Sequence, residues 1–183
     1  MVIDVGAGDG LASLRAARAD PSTLAIALDP SLDRLRIGAR TALRQKIANV
    51  LFVVARIEDA PFELDAAADR ITVTLPWGSL LRGLVLADPA VVGPLARLAK
   101  PGAGVETIIS IEERDAAIGV APADLERIAH RRAAFAAAGL VLENARAVTA
   151  TDVASTTWGK RLGHARAARV VDLRRARDSR ACL

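Results

Sequence analysis

The sequence begins with the run Val2-Ile3-Asp4-Val5-Gly6-Ala7-Gly8-Asp9-Gly10. Its first four residues are mainly apolar and β-branched, which predicts a short buried strand. Three glycines at alternate positions follow, and residues 11–18 then predict a helix. Glycine allows positive φ angles and lets backbone N–H groups approach a ligand closely. The run therefore predicts a strand, a ligand-binding loop and a helix.

Strand-like and helix-like segments alternate along the rest of the chain. The predicted strands cover residues 2–5, 24–28, 50–55, 71–75, 105–111, 140–148 and 169–173. The predicted helices cover residues 11–18, 31–43, 89–98 and 124–138, of which the second is capped by Ser31 and the last is closed by Gly139. This alternation predicts an α/β fold in which a largely parallel sheet carries helices on both faces.

Length and composition limit the possible classes of protein. With 183 residues, of which 52% are hydrophobic, we expect one domain over residues 1–183 with a filled core. No apolar run approaches the roughly 18 residues that a membrane-spanning helix needs. The single cysteine, Cys182, excludes an intramolecular disulfide, and no ligand spacing predicts a metal site. We therefore expect a cytoplasmic monomer that binds neither a metal nor a membrane.

The charges are distributed unevenly. From residue 156 onward there are eight basic and two acidic residues, a net charge of +6, so the rest of the chain carries −2. Such asymmetry is typical of proteins that bind a polyanion. Arginine supplies 22 of the 25 basic residues, as a GC-rich genome would also produce. An ordinary solvated face is therefore the alternative interpretation.

The glycine spacing favours one kind of ligand. A dinucleotide-binding loop has the pattern G-x-G-x-x-G, whereas here the third glycine comes one residue earlier and Asp9 lies inside the loop. A carboxylate at that point suits a cationic ligand and would repel a pyrophosphate. Asp29 follows the second predicted strand, where it can accept hydrogen bonds from ribose hydroxyls. Together Asp4, Asp9 and Asp29 predict a site for S-adenosylmethionine (SAM), a sulfonium that bears an ammonium group; a plain tight turn is the alternative.

Two tryptophans stand out in a chain that has three phenylalanines and no tyrosine. Trp77 lies in Pro76-Trp77-Gly78 directly after the fourth predicted strand, at the edge of the sheet where α/β proteins bind ligands. Trp158 lies at the start of the basic end of the chain. Most tryptophans fill a core, but a Pro-Trp-Gly turn is a poor place to bury an indole. The sequence therefore predicts that Trp77 faces the ligand site.

Several segments together resemble one enzyme family. They are the glycine loop, Ala27-Leu28-Asp29-Pro30, residues 52–58, Pro76-Trp77-Gly78-Ser79-Leu80-Leu81 and Trp158-x-Lys160-Arg161-Leu162. In this order they are similar to the 16S rRNA (adenine(1408)-N1)-methyltransferases, which confer aminoglycoside resistance. The Pro-Trp-Gly-Ser-Leu-Leu segment is quite specific, whereas most class I methyltransferases share the glycine loop. The resemblance implies a Rossmann-like class I fold with a seven-stranded sheet whose last strand is antiparallel.

The resemblance also implies a reaction, methyl transfer from SAM to N1 of a flipped adenine in 16S rRNA of the 30S subunit. Trp77 and Trp158 would form a clamp that stacks on the extruded base. Pro76 would shape the adenine pocket, and Thr156 stands where relatives carry serine. Adenine N1 has its own lone pair, so we expect positioning to supply most of the acceleration and expect no general base.

Two further sets of residues follow from the same resemblance. The cofactor-binding set is Asp4, Gly6, Gly8, Asp9, Asp29, Ile57 and Glu58, although Glu58 could equally be a solvent-facing residue. The set that binds rRNA phosphates is Lys160, Arg161, Arg166 and Arg169.

Three departures from the family concern RNA docking. Relatives carry a segment before the glycine loop, and a buried central strand seldom starts at the first residue, so we expect residues upstream of Met1 to be missing. Residues 42–49 are fewer than in the docking loop of relatives, and Ala167 and Ala168 replace basic residues. Two alternatives stay open: a class I methyltransferase acting on a tRNA guanine or a small molecule, and a non-catalytic protein that binds SAM or RNA.

Overall fold

A computed structural model of the protein describes residues 1–149, 151–152 and 168–177. Its strands are β1 Val2–Val5, β2 Ala25–Asp29, β3 Val50–Val54, β4 Ala68–Thr74, β5 Ala99–Ser110, β6 Leu140–Ala147 and β7 Ala168–Arg175. Its α-helices are α1 Leu11–Ala19, α2 Leu32–Gln45, α3 Gly78–Leu86, α4 Pro89–Leu98, α5 Pro122–Arg127 and α6 Arg132–Ala137. Short 3₁₀ turns cover Ile57–Asp59, Phe62–Leu64, Glu113–Ile118 and Ile128–Arg131.

All seven strands belong to one sheet in the order β3-β2-β1-β4-β5-β7-β6. The first five strands of this order are parallel, and β7 runs antiparallel to both of its neighbours. The predicted α/β fold, mostly parallel with an antiparallel last strand, is confirmed. The strand order reverses between β1 and β4, and in such sheets the crevice beyond the carboxyl ends of the strands at this point binds ligands.

Apolar side chains form a core on each face of the sheet. The larger core packs the inner residues of the central strands against α3 and α4, and it includes Ile3, Ile71, Val105, Val92 and Leu95. The smaller core packs α1 and α2 against β2 and β3. On this second face, β4 and β5 present polar residues such as Thr72 and Glu106, which pair side by side in the sheet. A cleft runs along this polar part.

Helix α2 shows how the sequence sets the helix positions next to the cleft. As predicted, Ser31 caps it, because its hydroxyl accepts a hydrogen bond from Arg34 N–H at 3.4 Å. The helix buries Leu35, Gly38 and Ala42. A Cβ atom on Gly38 would lie 2.5 Å from the carbonyl oxygen of Asp9, so only glycine lets α2 lie this close to the glycine loop.

The structure differs from the predicted helices in two places. Helix α3 was not predicted, because it contains two glycines and its short apolar run at residues 83–87 does not distinguish a helix from a strand. The helix predicted over residues 124–138 is divided into α5 and α6 by the turn Ile128–Arg131. Two consecutive arginines at this division contact different segments. Arg131, at the end of the turn, donates to the carbonyl of Leu86, and Arg132, at the start of α6, donates to that of Leu142.

Within the described ranges, no single helix is long and apolar enough to cross a membrane. Only α3 and α4 taken together reach such a length and hydropathy, and they meet at an angle of 90°.

The contact between α2 and the glycine loop can be tested with Gly38→Ala. The added methyl group would lie 2.5 Å from Asp9 O and 2.7 Å from Cε1 of Phe52. We expect this overpacking to lower the free energy of unfolding by about 1–3 kcal/mol, measured by urea denaturation. The control is Gly93→Ala in α4, where a Cβ would meet nothing within 4 Å. Equal stability of the two variants would contradict the packing described.

Candidate active site

The cleft consists of two adjoining cavities of about 1200 and 240 Å³. The larger one extends from the carboxyl ends of β1, β2 and β4 along the polar face of the sheet as far as Val2 and Arg70. Small-molecule sites usually have about 300–1,000 Å³, so the cleft has room for more than one small ligand. The glycine loop, the end of β2 and the turn after β4 separate the two cavities. The residues that line both are Gly6, Asp29, Arg34, Pro76, Trp77 and Gly78.

The glycine loop has the predicted positive backbone angles. The φ angles of Gly6, Gly8 and Gly10 are 71°, 58° and 67°, values that other residues rarely adopt. Space is also limited, since a Cβ on Gly10 would lie 2.6 Å from Cε1 of Phe52. The positive φ expected of the glycines is therefore confirmed, whereas close approach of the loop to a ligand stays a prediction. The loop presents backbone toward the larger cavity.

Asp29 fixes this loop to the rest of the fold. Its Oδ2 accepts a hydrogen bond from Gly8 N–H at 2.8 Å, and its Oδ1 accepts one from Ser31 N–H at 2.8 Å. The residue is buried and lines both cavities. The sequence predicted only a ligand-binding role for Asp29, whereas the structure adds a role in joining the glycine loop to the start of α2.

Asp4 is a buried carboxylate at the edge of the larger cavity. Burial raises its pKa to about 6, against the opposing effect of hydrogen bonds donated by Thr72 Oγ1 and Ser13 Oγ. The donor–acceptor distances are 3.0 and 3.4 Å. Asp4 is therefore mainly ionised at neutral pH, and its negative charge favours a cationic ligand. The sequence did not identify Thr72 or Ser13, which reach Asp4 only through strand pairing and the first turns of α1.

The remaining predicted cofactor residues also surround the cleft. Asp9 lines the larger cavity, and its Oδ1 accepts a hydrogen bond from the N–H of Leu11, the first residue of α1, at 3.0 Å. Ile57 and Glu58 line the smaller cavity. Glu58 forms an ion pair with Arg56 at 3.0 Å. All seven residues of the predicted set therefore line one or both cavities, and their binding roles stay predictions.

The turn after β4 places an aromatic side chain at the cleft. Leu75 has a φ of 51°, a strained angle for a residue with a branched side chain, and its N–H donates to Ile108 O at 2.7 Å. The next residues, Pro76 and Trp77, line both cavities, and Trp77 is 74% exposed. The prediction that Trp77 is not a core residue is confirmed. Nothing in the sequence indicated the strain at Leu75.

Most of the predicted RNA-contacting residues lie outside the described part of the chain. These are Trp158, Thr156, Lys160, Arg161 and Arg166. Arg169 is described: it is the second residue of β7, and its guanidinium forms an ion pair with Glu126 of α5. Its side chain is 23% exposed. Across the described residues, no group of three or more His, Cys, Asp or Glu side chains could hold a metal ion.

The strand order, the cleft at its switch point and the buried Asp4 define a class I SAM-dependent methyltransferase. The chain belongs to one particular family of this class, because the NpmA family model, described as 16S rRNA (adenine(1408)-N(1))-methyltransferase, matches residues 1–177.

Similar sequences and solved structures support this family assignment. An enzyme of the same description from Streptoalloteichus tenebrarius is 31% identical over 177 residues, which cover 91% of this chain and 81% of the relative. The crystal structure of the aminoglycoside resistance methyltransferase NpmB1 superposes with a TM-score of 0.81 at 32% identity, covering 96% of this chain and 86% of that one. A variant of the enzyme from Catenulisporales acidiphilia, solved with its cosubstrate SAM, has a TM-score of 0.81 at 29% identity and covers 100% and 88%.

Because Asp4 carries a buried charge, we expect the protein to become more stable when that charge is removed. A folded-state pKa of about 6, above the usual 3.8, means that ionised Asp4 destabilises the fold as pH rises through 6. We expect Asp4→Asn to raise the free energy of unfolding at pH 8 by about 3 kcal/mol, since each pKa unit corresponds to about 1.36 kcal/mol. The gain should vanish toward pH 4, as measured by urea denaturation across pH.

The control for this measurement is Asp20→Asn. Hydrogen bonds from Ser22 and Thr23 lower the pKa of the exposed Asp20 to about 2, so its ionised form stabilises the fold. That variant should therefore lose stability at neutral pH, the opposite direction. An Asp4→Asn variant that is less stable than the wild type at pH 8 would contradict the burial cost.

Proposed function

We propose that the protein transfers the methyl group of SAM to N1 of adenine 1408 in 16S rRNA and thereby confers aminoglycoside resistance. Its substrate would be the 30S subunit, and it would act as a cytoplasmic monomer. The observation that carries the proposal is the exposed Trp77 at the junction of the two cavities. The relatives that bear this activity in their description support it.

The residues of the cleft fit SAM. The glycine loop lines the larger cavity, and Asp4 offers a buried negative charge to a cation. The smaller cavity is lined by apolar atoms of Val5, Leu28 and Ile57, which suit a purine ring. When bound, SAM supplies an electrophilic methyl group. The chain's own task is to orient the two reactants and to exclude water, which is worth several orders of magnitude in rate.

Trp77 is suited to hold the target base. A base inside an RNA helix must be extruded before any enzyme can reach its N1 atom, and aromatic faces offset the lost stacking. The strained Leu75-Pro76 turn holds the indole at the cleft instead of in the core. Methylation leaves a positive charge on adenine, and the face of an indole favours a cation. In this proposal Trp158 provides the second face of the clamp.

Helix α2 carries a row of cations that suits an RNA backbone. Arg36, Arg40 and Arg44 are exposed and spaced four residues apart, so they lie on one side of the helix at intervals of about 6 Å. Guanidinium groups bind phosphates through two parallel hydrogen bonds. With the predicted Lys160, Arg161, Arg166 and Arg169, this row would contribute to docking on rRNA.

The reaction itself can be tested with Trp77→Ala. We expect kcat/KM for 30S subunits to fall about 5- to 150-fold, because base stacking contributes about 1–3 kcal/mol. Trp77→Phe should lose less, and calorimetry should give the same SAM affinity for all three proteins. Methylation is measured by primer extension on 16S rRNA from a susceptible host, together with kanamycin and apramycin resistance.

Two results would contradict the proposal. A wild-type protein that binds SAM but gives no primer-extension stop at adenine 1408 would indicate another substrate, such as a tRNA guanine or a small molecule. A wild-type protein that binds no SAM would indicate a non-catalytic role.

The docking role of α2 predicts a change in salt dependence. Replacement of Arg36, Arg40 and Arg44 by glutamine should weaken 30S binding and reduce the slope of log K against log salt by about 2 to 3, since each phosphate contact contributes nearly one unit. The control is Lys100→Gln at the amino end of β5, where Lys100 pairs with Asp69 at 2.6 Å. An unchanged slope in the triple variant would exclude α2 from the RNA surface.

A further inference from the structure

The described part of the cleft contains several arginine side chains, and one of them differs from the others in its surroundings. These arginines are Arg15, Arg34, Arg56, Arg70 and Arg114. Arg56, Arg70 and Arg114 each have a glutamate carboxylate within 4.0 Å. Arg15 interacts electrostatically with the buried Asp4. Across the residues that the structure describes, the guanidinium of Arg34 forms neither an ion pair nor a hydrogen bond.

The acidic residues around the start of α2 are engaged by other groups. Asp33 pairs with Arg36 at 2.9 Å. Both carboxylate oxygens of Asp29 accept backbone N–H groups, and Asp9 accepts the N–H of the first residue of α1. Arg34 therefore brings to the cleft a positive charge and five N–H donors that no described carboxylate binds.

The Arg34 side chain lies on the side of α2 that faces the glycine loop. Gly38, one helical turn further along the same side, packs against the carbonyl of Asp9. A Cβ atom on Gly8 would lie 3.7 Å from Arg34 Nη1, so the guanidinium lies beside the loop. The row of cations on α2 starts two residues later, about 200° around the helix axis. Arg34 is therefore separate from that row.

Arg34 also lies at the junction of the two cavities, since it lines both of them, as Trp77 does. In the proposed function the purine ring of SAM lies in the smaller cavity, and its ammonium group lies near Asp4, which lines the larger one. The carboxylate of SAM is bonded to the same carbon as the ammonium group and would lie there too. The junction is thus between the two ends of the cofactor, and an anion that faces Arg34 has to come from the other reactant.

An RNA substrate supplies such an anion. A base that stacks on Trp77 is joined through its ribose to the phosphates of its own strand, so extrusion brings these phosphates toward the same junction. A guanidinium group binds a phosphate through two parallel hydrogen bonds. Without an anion beside it, the charge of Arg34 would repel the sulfonium of SAM, whereas a bound phosphate would offset this repulsion.

We propose that the guanidinium of Arg34 binds a phosphate of the RNA strand next to the extruded adenine and so holds the target nucleotide at the junction of the two cavities. The inference rests on the proposed function, because it assigns a further substrate contact to the same site. Arg34 contacts the RNA backbone and takes no part in bond formation or cleavage. It binds and orients the nucleotide whose base stacks on Trp77.

Arg70 provides a matched control. It also lines the larger cavity, and its side chain is 49% exposed. However, it is the third residue of β4, near the amino end of that strand, and it pairs with Glu106 at 4.0 Å. Arg70→Gln therefore removes one positive charge from the same cleft away from the junction. An effect of net charge alone would be shared by Arg70→Gln and Arg34→Gln.

The first test measures the affinity for 30S subunits as a function of salt. Arg34→Gln should weaken binding about 10- to 100-fold, as expected for loss of a hydrogen bond between charged groups. It should also reduce the slope of log K against log salt by about 0.7 to 0.9, the contribution of one phosphate contact. Arg34→Lys keeps the charge but loses the two-point contact, so it should keep the slope and bind with intermediate affinity. Arg70→Gln should match the wild type, and a wild-type slope in Arg34→Gln would overturn the proposal.

The second test locates the phosphate by ethylation interference on 16S rRNA in 30S subunits. Ethylation removes the negative charge of a phosphate, so subunits ethylated at a contacted phosphate are depleted among those that bind the protein. We expect one such position beside adenine 1408 with the wild type and with Arg70→Gln, and its selective loss with Arg34→Gln. A merely structural defect would weaken all interference positions alike. An unchanged pattern in Arg34→Gln would overturn the proposal.

Calorimetry with SAM distinguishes the two sources of an anion. Arg34→Gln should bind SAM no more weakly than the wild type does. A tenfold or larger loss of SAM affinity, with an unchanged ethylation pattern, would assign Arg34 to the carboxylate of the cofactor and overturn the proposal.

Failure of the proposed function gives a different result. A wild-type protein that binds 30S subunits without methylating adenine 1408 would contradict the proposed function, and the ethylation pattern would still decide on Arg34. A wild-type protein that does not bind 30S subunits would overturn both.

Discussion

The carboxylate of Asp29 makes the contact on which the cofactor side of the cleft depends. It accepts one hydrogen bond from the glycine loop at Gly8 and one from the start of α2 at Ser31. Loss of either hydrogen bond would leave a partly buried N–H without its partner, so the two elements are held together at the end of β2. Gly38 completes the arrangement, since α2 can then lie against the loop. The shape of the cleft follows from these backbone contacts.

Much of the fold could be predicted because most of its strands are short, mainly apolar runs in the sequence. Each of the seven predicted strands exists, and Ser31 and Gly139 occupy the helix ends where they were expected. Helix α3 could not be predicted from local sequence, because its two glycines and its short apolar run do not distinguish a helix from a strand. The division of the helix predicted over residues 124–138 depends on carbonyl groups of distant segments, which local sequence does not contain.

Part of the candidate site could be predicted, because the residue types and the spacing of the glycine loop can be read directly from the sequence. Asp4, Asp9 and Asp29 were found in this way, and so was the exposure of Trp77. The partners of Asp4 were not, because Thr72 is 68 residues away and reaches it only through the pairing of β1 with β4. The strain at Leu75 is likewise a property of the folded turn. The clamp formed with Trp158 stays a prediction, since Trp158 lies outside the described residues.

The arginine row on α2 also bears on how the protein can be regulated. Acylation neutralises primary amines, and the whole chain offers only three lysine side chains, Lys46, Lys100 and Lys160. A guanidinium group keeps its charge at every pH that a cell reaches and is not a substrate for lysine acetylation. A cell in which lysines become acetylated would therefore leave most of the positive charge of this enzyme intact.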